Sequence, residues 1–68
     1  MNKRHFEAFA AVARRRRQDA KRCEAEGKKE EATAAIFVAL GIEEAVIEVA
    51  QQFNPLFDAA RFRRACNA

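Results

Sequence analysis

The sequence has no serine, tryptophan or tyrosine, a single histidine, a single proline, two glycines and two cysteines. Each scarcity closes off some chemistry. With Thr33 as the only aliphatic hydroxyl, a serine-type triad has no nucleophile. One histidine and no C-x-x-C leave zinc-site spacing unmet. Glu43, Glu44 and Glu48 lack the Glu-x-x-His partners of a di-metal helical site, and Gly27 and Gly41 do not form a phosphate-cradling loop. No catalytic residues, cofactor or metal are therefore expected. His5 is expected as a first-turn helix residue rather than a general base. A Cys–His pair with Cys23 or Cys66 has no local signature, and Cys23 suits the inner face of a helix as a small apolar residue.

Long hydrophobic runs are also missing. The longest, Ala32 to Ile42, is far short of the roughly 20 residues that span a bilayer and contains Thr33 and Gly41. There is no secretory pattern and no cysteine framework, so two reduced thiols in a cytosolic protein are expected. A single 68-residue domain buries only about 60% of its unfolded surface. Such a chain gains much from a partner subunit.

The most informative absence is of positive charge between Glu30 and Arg61. Residues 1–29 carry a net +6, residues 30–58 a net −6, and the last ten residues +3. A basic segment and an acidic one of similar length, joined at Gly27, read as two helices lying side by side. Alanine dominates the apolar residues and favours helix. The expected fold is all-α: helix 1 over about 3–26 with Asn2 as N-cap, helix 2 over about 29–53, and a short helix over about 59–66. Gly27 suits a left-handed helix end; one continuous helix through it is the competing possibility.

Helix 1 has a thin apolar stripe at Phe6, Phe9, Val12, Ala13, Ala20 and Cys23. Helix 2 is apolar over more than half its circumference. Ala32, Ala35, Ile36, Ala39, Ile42, Val46, Val49, Ala50 and Phe53 lie on one flank, and Phe37, Leu40 and Ile47 on the other. An ordinary surface helix needs a stripe of only about 100°. The excess predicts a homodimer with a four-helix-like core, contacting through Ile36, Phe37, Leu40, Gly41, Val46 and Ile47. Gly41, in line with Ala34 and Ala45, either lets a helix approach closely or is simply tolerated.

Asn54-Pro55 ends helix 2, since the residue before proline is driven out of helical geometry. Asp58 is the expected cap of the last helix, with Phe57 and Phe62 spaced as a hydrophobic staple; proline at N1 after an Asn54 cap is the alternative. The ending Asn54-Pro55-Leu56-Phe57-Asp58-Ala59-Ala60-Arg61-Phe62-Arg63-Arg64-Ala65-Cys66 resembles the pattern N-P-x-F-D-x-x-R-F-x-x-A-C at the C-termini of small tailed-bacteriophage proteins. The opening Lys3-Arg4-His5-Phe6-Glu7-Ala8-Phe9-Ala10 is similar to their K-x-H-F-x-x-[LF]-A start. The resemblance covers about a third of the chain, at its two ends. It implies a phage origin and a compact helical fold, and no activity.

Four consecutive arginines, Arg14 to Arg17, spread around a helix at about 100° per residue. In an antiparallel hairpin Ala13 comes level with Glu43, so Arg16 or Arg17 is expected to reach Glu43 or Glu44. Arg14 and Arg15, with Gln18 and Arg22, are expected to form an outward face for a partner, joined by Arg61 and Arg64. The resulting expectation is a non-enzymatic accessory protein in the bacterial cytosol that binds and inhibits or redirects a host protein. A host regulator such as a quorum-sensing receptor, or a CRISPR complex, is the kind of target the phage resemblance suggests. The alternative is a nucleic-acid-binding regulator using the same arginines as phosphate contacts. A structural role in assembly is a third.

Overall fold

The structure is a computed structural model and describes residues 2–68. Three helices follow one another, α1 (Lys3–Ala25), α2 (Lys29–Phe53) and α3 (Ala59–Cys66). Each begins or ends where local chemistry dictates. At the start of α1 the Asn2 side chain accepts from the His5 N–H at 3.2 Å, and the His5 Nδ1 accepts from the Asn2 N–H at 3.1 Å. This is a reciprocal capping box with histidine in the usual Glu/Gln position.

α1 ends at Ala25, one residue before the expected boundary, because Glu26 already serves as the C-cap. Gly27 adopts φ +78°, the left-handed conformation that L-residues with a Cβ resist. The Gly27 N–H donates to the Glu24 carbonyl at 3.0 Å and the Lys28 N–H to the Cys23 carbonyl at 2.8 Å. Those two bonds are a Schellman closure, and they settle the hairpin over a single long helix.

α2 begins without a side-chain cap, and Glu30 and Glu31 in its first turn offset the helix dipole instead. Thr33 donates its hydroxyl back to the Lys29 carbonyl at 3.0 Å. At the other end Asn54 is extended, and its side chain accepts from the Leu56 N–H at 3.1 Å. Asp58 caps α3 by accepting from the Arg61 N–H at 2.9 Å, so the later start with its staple is the one realised.

α1 and α2 form an antiparallel pair whose seam is built largely from small residues. Ala10, Ala13, Ala20, Ala32, Ala39 and Ala50 are all buried. α3 lies over one side of that pair. Its Phe62 and Cys66 join Ala10, Ala13, Val46 and Ile47 in the core. Phe6, Phe57 and Phe62 meet there, with ring centroids 4.8 Å apart for Phe6–Phe57 and about 6 Å for the other two pairs. Such pairs add about 0.5–1.5 kcal/mol each beyond area burial.

Val46 and Ile47 therefore belong to the chain's own core rather than to a contact between subunits. An eight-residue helix is about 12 Å long, against about 38 Å for the 25 residues of α2, so most of the hairpin's length stays uncovered. The Cα extents are 41 × 17 × 16 Å and the radius of gyration is 12.9 Å. A compact chain of this length would have about 10.9 Å.

Candidate interaction surfaces

At the centre of the molecule sits a carboxylate. The Glu43 side chain is 2% exposed and is reached from both other helices. From α1, Arg17 Nη2 donates to Oε1 at 2.6 Å. From α3, Arg63 Nη1 approaches Oε2 at 3.4 Å while its Nη2 donates to Glu44 Oε1 at 2.9 Å. Asn67, just past α3, adds its amide at 3.5 Å. The antiparallel register expected from the sequence is realised through Arg17; Arg16 instead pairs with Asp19 on its own helix at 3.4 Å.

Among the described residues Arg17 Nε is occluded and has no hydrogen-bond partner. The hydrogen bond to Glu44 holds the Arg63 guanidinium above its usual range. Burial, and then the charge of Glu43, push the neighbouring Cys66 thiol up, with Arg17, Arg14 and Arg63 opposing. A raised thiol is a poor nucleophile. Both cysteines are free. This cluster ties three helices together. Among the described residues no group of three His, Cys, Asp or Glu side chains comes together, and no helix is long and apolar enough to cross a membrane.

The expected partner-binding residues do not share one face. Arg14 is half-buried and donates to the Ala65 carbonyl at 2.8 Å, so it locks α3 onto α1 instead of pointing outward. Arg15 and Arg22 are exposed, seven residues apart on the outer side of α1, with Arg22 3.4 Å from Asp19. Gln18 lines an open groove of about 660 Å³ between α1 and α2, together with Lys21, Lys29, Ile36, Cys66 and Asn67. Arg61 lines a second groove, of about 670 Å³ between α1 and α3, with Lys3, Phe6, Leu56 and Phe62. Arg64 is exposed. Arg4, also exposed, falls on the same line of α1 as Arg15 and Arg22 by helical spacing.

Of the residues expected at a subunit contact, Phe37, Leu40 and Gly41 are exposed and Ile36 is half-buried. Phe37 is 68% exposed, and Val38, Val49 and Phe53 on the same helix are exposed too. Gly41 has ordinary helical backbone, and a Cβ there would meet nothing within 4 Å. Glycine at such a site costs roughly 1 kcal/mol relative to alanine, and no contact within the chain requires it. No family model, curated protein or solved structure matches this chain.

Proposed function

We propose that this protein is a small, non-enzymatic, phage-encoded accessory protein that works as a homodimer in the host cytosol and binds a host protein, inhibiting or redirecting it. One observation carries the interaction role: the molecule is divided into a helix with an uncovered apolar–acidic outer face and a cationic remainder. Phe37, Val38, Leu40, Val49 and Phe53 of α2 are exposed, and the acidic α2 has no basic residue beyond Lys29. Meanwhile Arg4, Arg15, Lys21, Lys29, Arg61 and Arg64 are exposed and form no ion pair among the described residues. Isolated exposed apolar residues mean little, and the five on α2 spread over about 220° of the helix; it is Phe37 and Val38, either side of Gly41 on the outer face, that support an interaction role. The phage origin rests on the resemblance at the two ends of the chain, and the host-directed role follows from that origin.

The partner's surface would be acidic where it meets Arg15 and Arg22. Affinity capture from host lysate with wild type and an Arg15→Glu/Arg22→Glu variant tests this. The expected result is a host protein held by the first and lost by the second, whose own activity falls when the purified wild type is added. Identical captured sets would remove the basic face from the proposal. The same unpaired cations favour a second function, nucleic-acid binding. Mobility shifts at two salt concentrations separate the two, since phosphate contacts lose affinity steeply with salt and no shift at low salt eliminates them.

A further inference from the structure

Resting on the homodimer proposed above, we infer that the occupant of the bare face of α2 is the α2 helix of a second copy, running antiparallel with the two-fold axis at Gly41. The amount of uncovered surface comes first. The chain exposes 5016 Å², whereas a compact monomer of 7.7 kDa would expose about 4,300 Å². The excess, about 700 Å², is close to the roughly 800 Å² that each partner buries in a standard stable interface.

The position of that surface comes second. Ala34, Phe37, Val38, Gly41 and Ala45 are all exposed. By helical spacing they lie on the side of α2 turned away from buried Ala39, Val46 and Ala50. Gly41 is the midpoint of Lys29–Phe53, with twelve residues on either side, and among the described residues nothing lies within 4 Å of where its Cβ would be. Two helices crossing at a residue without a side chain approach at the short end of the usual 8–10 Å separation.

Register and charge decide the direction. In the antiparallel arrangement, Phe37 of one copy comes level with Ala45 of the other, a large side chain over a small one. Glu30 comes level with Gln52, and Glu48 with Ala34, so the nearest glutamates of the two copies are offset by one turn rather than directly opposed. A parallel pairing sets Phe37 on Phe37, Glu30 on Glu30 and Glu48 on Glu48, placing like charges opposite each other along the same face. The interface is isologous, as a closed dimer requires.

Sedimentation of the full chain, with Gly41→Glu and a spin-labelled Gln52→Cys variant in a Cys23→Ala background, tests the inference. Wild type should sediment at twice the 7.7 kDa chain mass. Gly41→Glu should keep or raise its helical circular dichroism, since its Cβ has open space, yet weaken the dimer by about tenfold or more. The labels at position 52 should lie about 33 Å apart, 22 residues at 1.5 Å each. A dimer that survives Gly41→Glu, or labels about 10 Å apart as in a parallel pair, overturns this geometry while leaving the homodimer standing. A wild type of single-chain mass at high micromolar concentration overturns both, and gives the face to a different protein or to solvent.

Discussion

Glu43 concentrates the electrostatics of the fold in one residue. It is a nearly fully buried charge held by Arg17 and Arg63, whose side chains are 22% and 42% exposed. Removing one member of a buried pair leaves the other uncompensated, at about 3–5 kcal/mol. The partial exposure of both arginines puts Glu43→Ala at the low end, about 3 kcal/mol. A domain of this length has roughly 3–10 kcal/mol in total, so urea denaturation should find the variant stripped of about a third or more of its stability. Replacing the pair by apolar residues of similar size, Glu43→Leu with Arg17→Met, should recover most of the loss. A Glu43→Ala variant within about 1 kcal/mol of wild type would mean the cluster is ornamental. Cys66 beside it gives a second test. Its thiol, usual value 9.0, is raised by burial, so the unfolded chain releases its proton at lower pH than the folded one. Stability from this group is therefore intact below pH 9.0 and declines as pH climbs from there through the raised folded value. Cys66→Ala should flatten that alkaline decline. A thiol reagent should modify half-exposed Cys23 in the native protein and reach Cys66 only on unfolding; two equally fast thiols would contradict this.

The ends of the helices were legible because their chemistry is local. Gly27, Asn54-Pro55, Asp58 and the Phe57–Phe62 staple each act within a few residues, and each does what its neighbours in the chain dictate. Gly27→Ala should therefore cost about 1–2 kcal/mol from the left-handed backbone alone, since a Cβ there would meet nothing within 4 Å. Asp58→Ala should cost about 1 kcal/mol and loosen α3, read as faster reagent access to Cys66 at unchanged α1–α2 helicity. An unaltered Cys66 rate would show that the Arg14–Ala65 and Arg63–Glu43 bonds hold α3 without its cap. Those same bonds mark where sequence reasoning ran out. Arg14 binds a backbone carbonyl, a target with no side-chain pattern, so an arginine expected to face outward instead fastens α3. Val46 and Ile47 sit in the core while Val49 and Phe53 are exposed, because a helix apolar nearly all round does not itself say which flank an eight-residue third helix will cover. The Arg17–Glu43 register was readable, since hairpin pairing follows from the turn position; Arg63 and Asn67 joining it depended on where α3 lands.

At the scale of the whole molecule, the quantity that matters is surface left over after α3 has docked. A rod 41 Å long and 17 Å wide, with a core built mostly of alanine, has little stability to spare, so association and folding are thermodynamically linked. A partner that binds only the folded chain raises its melting temperature by mass action. For a homodimer above its dissociation constant, each tenfold rise in protein concentration adds about 0.7 kcal/mol per chain, half of the 1.4 kcal/mol tenfold interval. With an unfolding entropy of about 2.1 cal/mol/K per residue, that is roughly 5 °C for 68 residues. The wild type should show this drift over about a hundredfold range of concentration, while Gly41→Glu should melt at a nearly constant temperature. Salt supplies the sign that concentration lacks. If α2 meets α2, the glutamates of both copies converge around an apolar strip, and shortening the screening length from about 10 Å at 0.1 M to about 3 Å at 1 M should tighten the dimer. A dimer held by the basic outer side of α1 against the acidic α2 of its twin would loosen under the same change, so a melting temperature that falls with salt at fixed high concentration would rule out the α2–α2 contact.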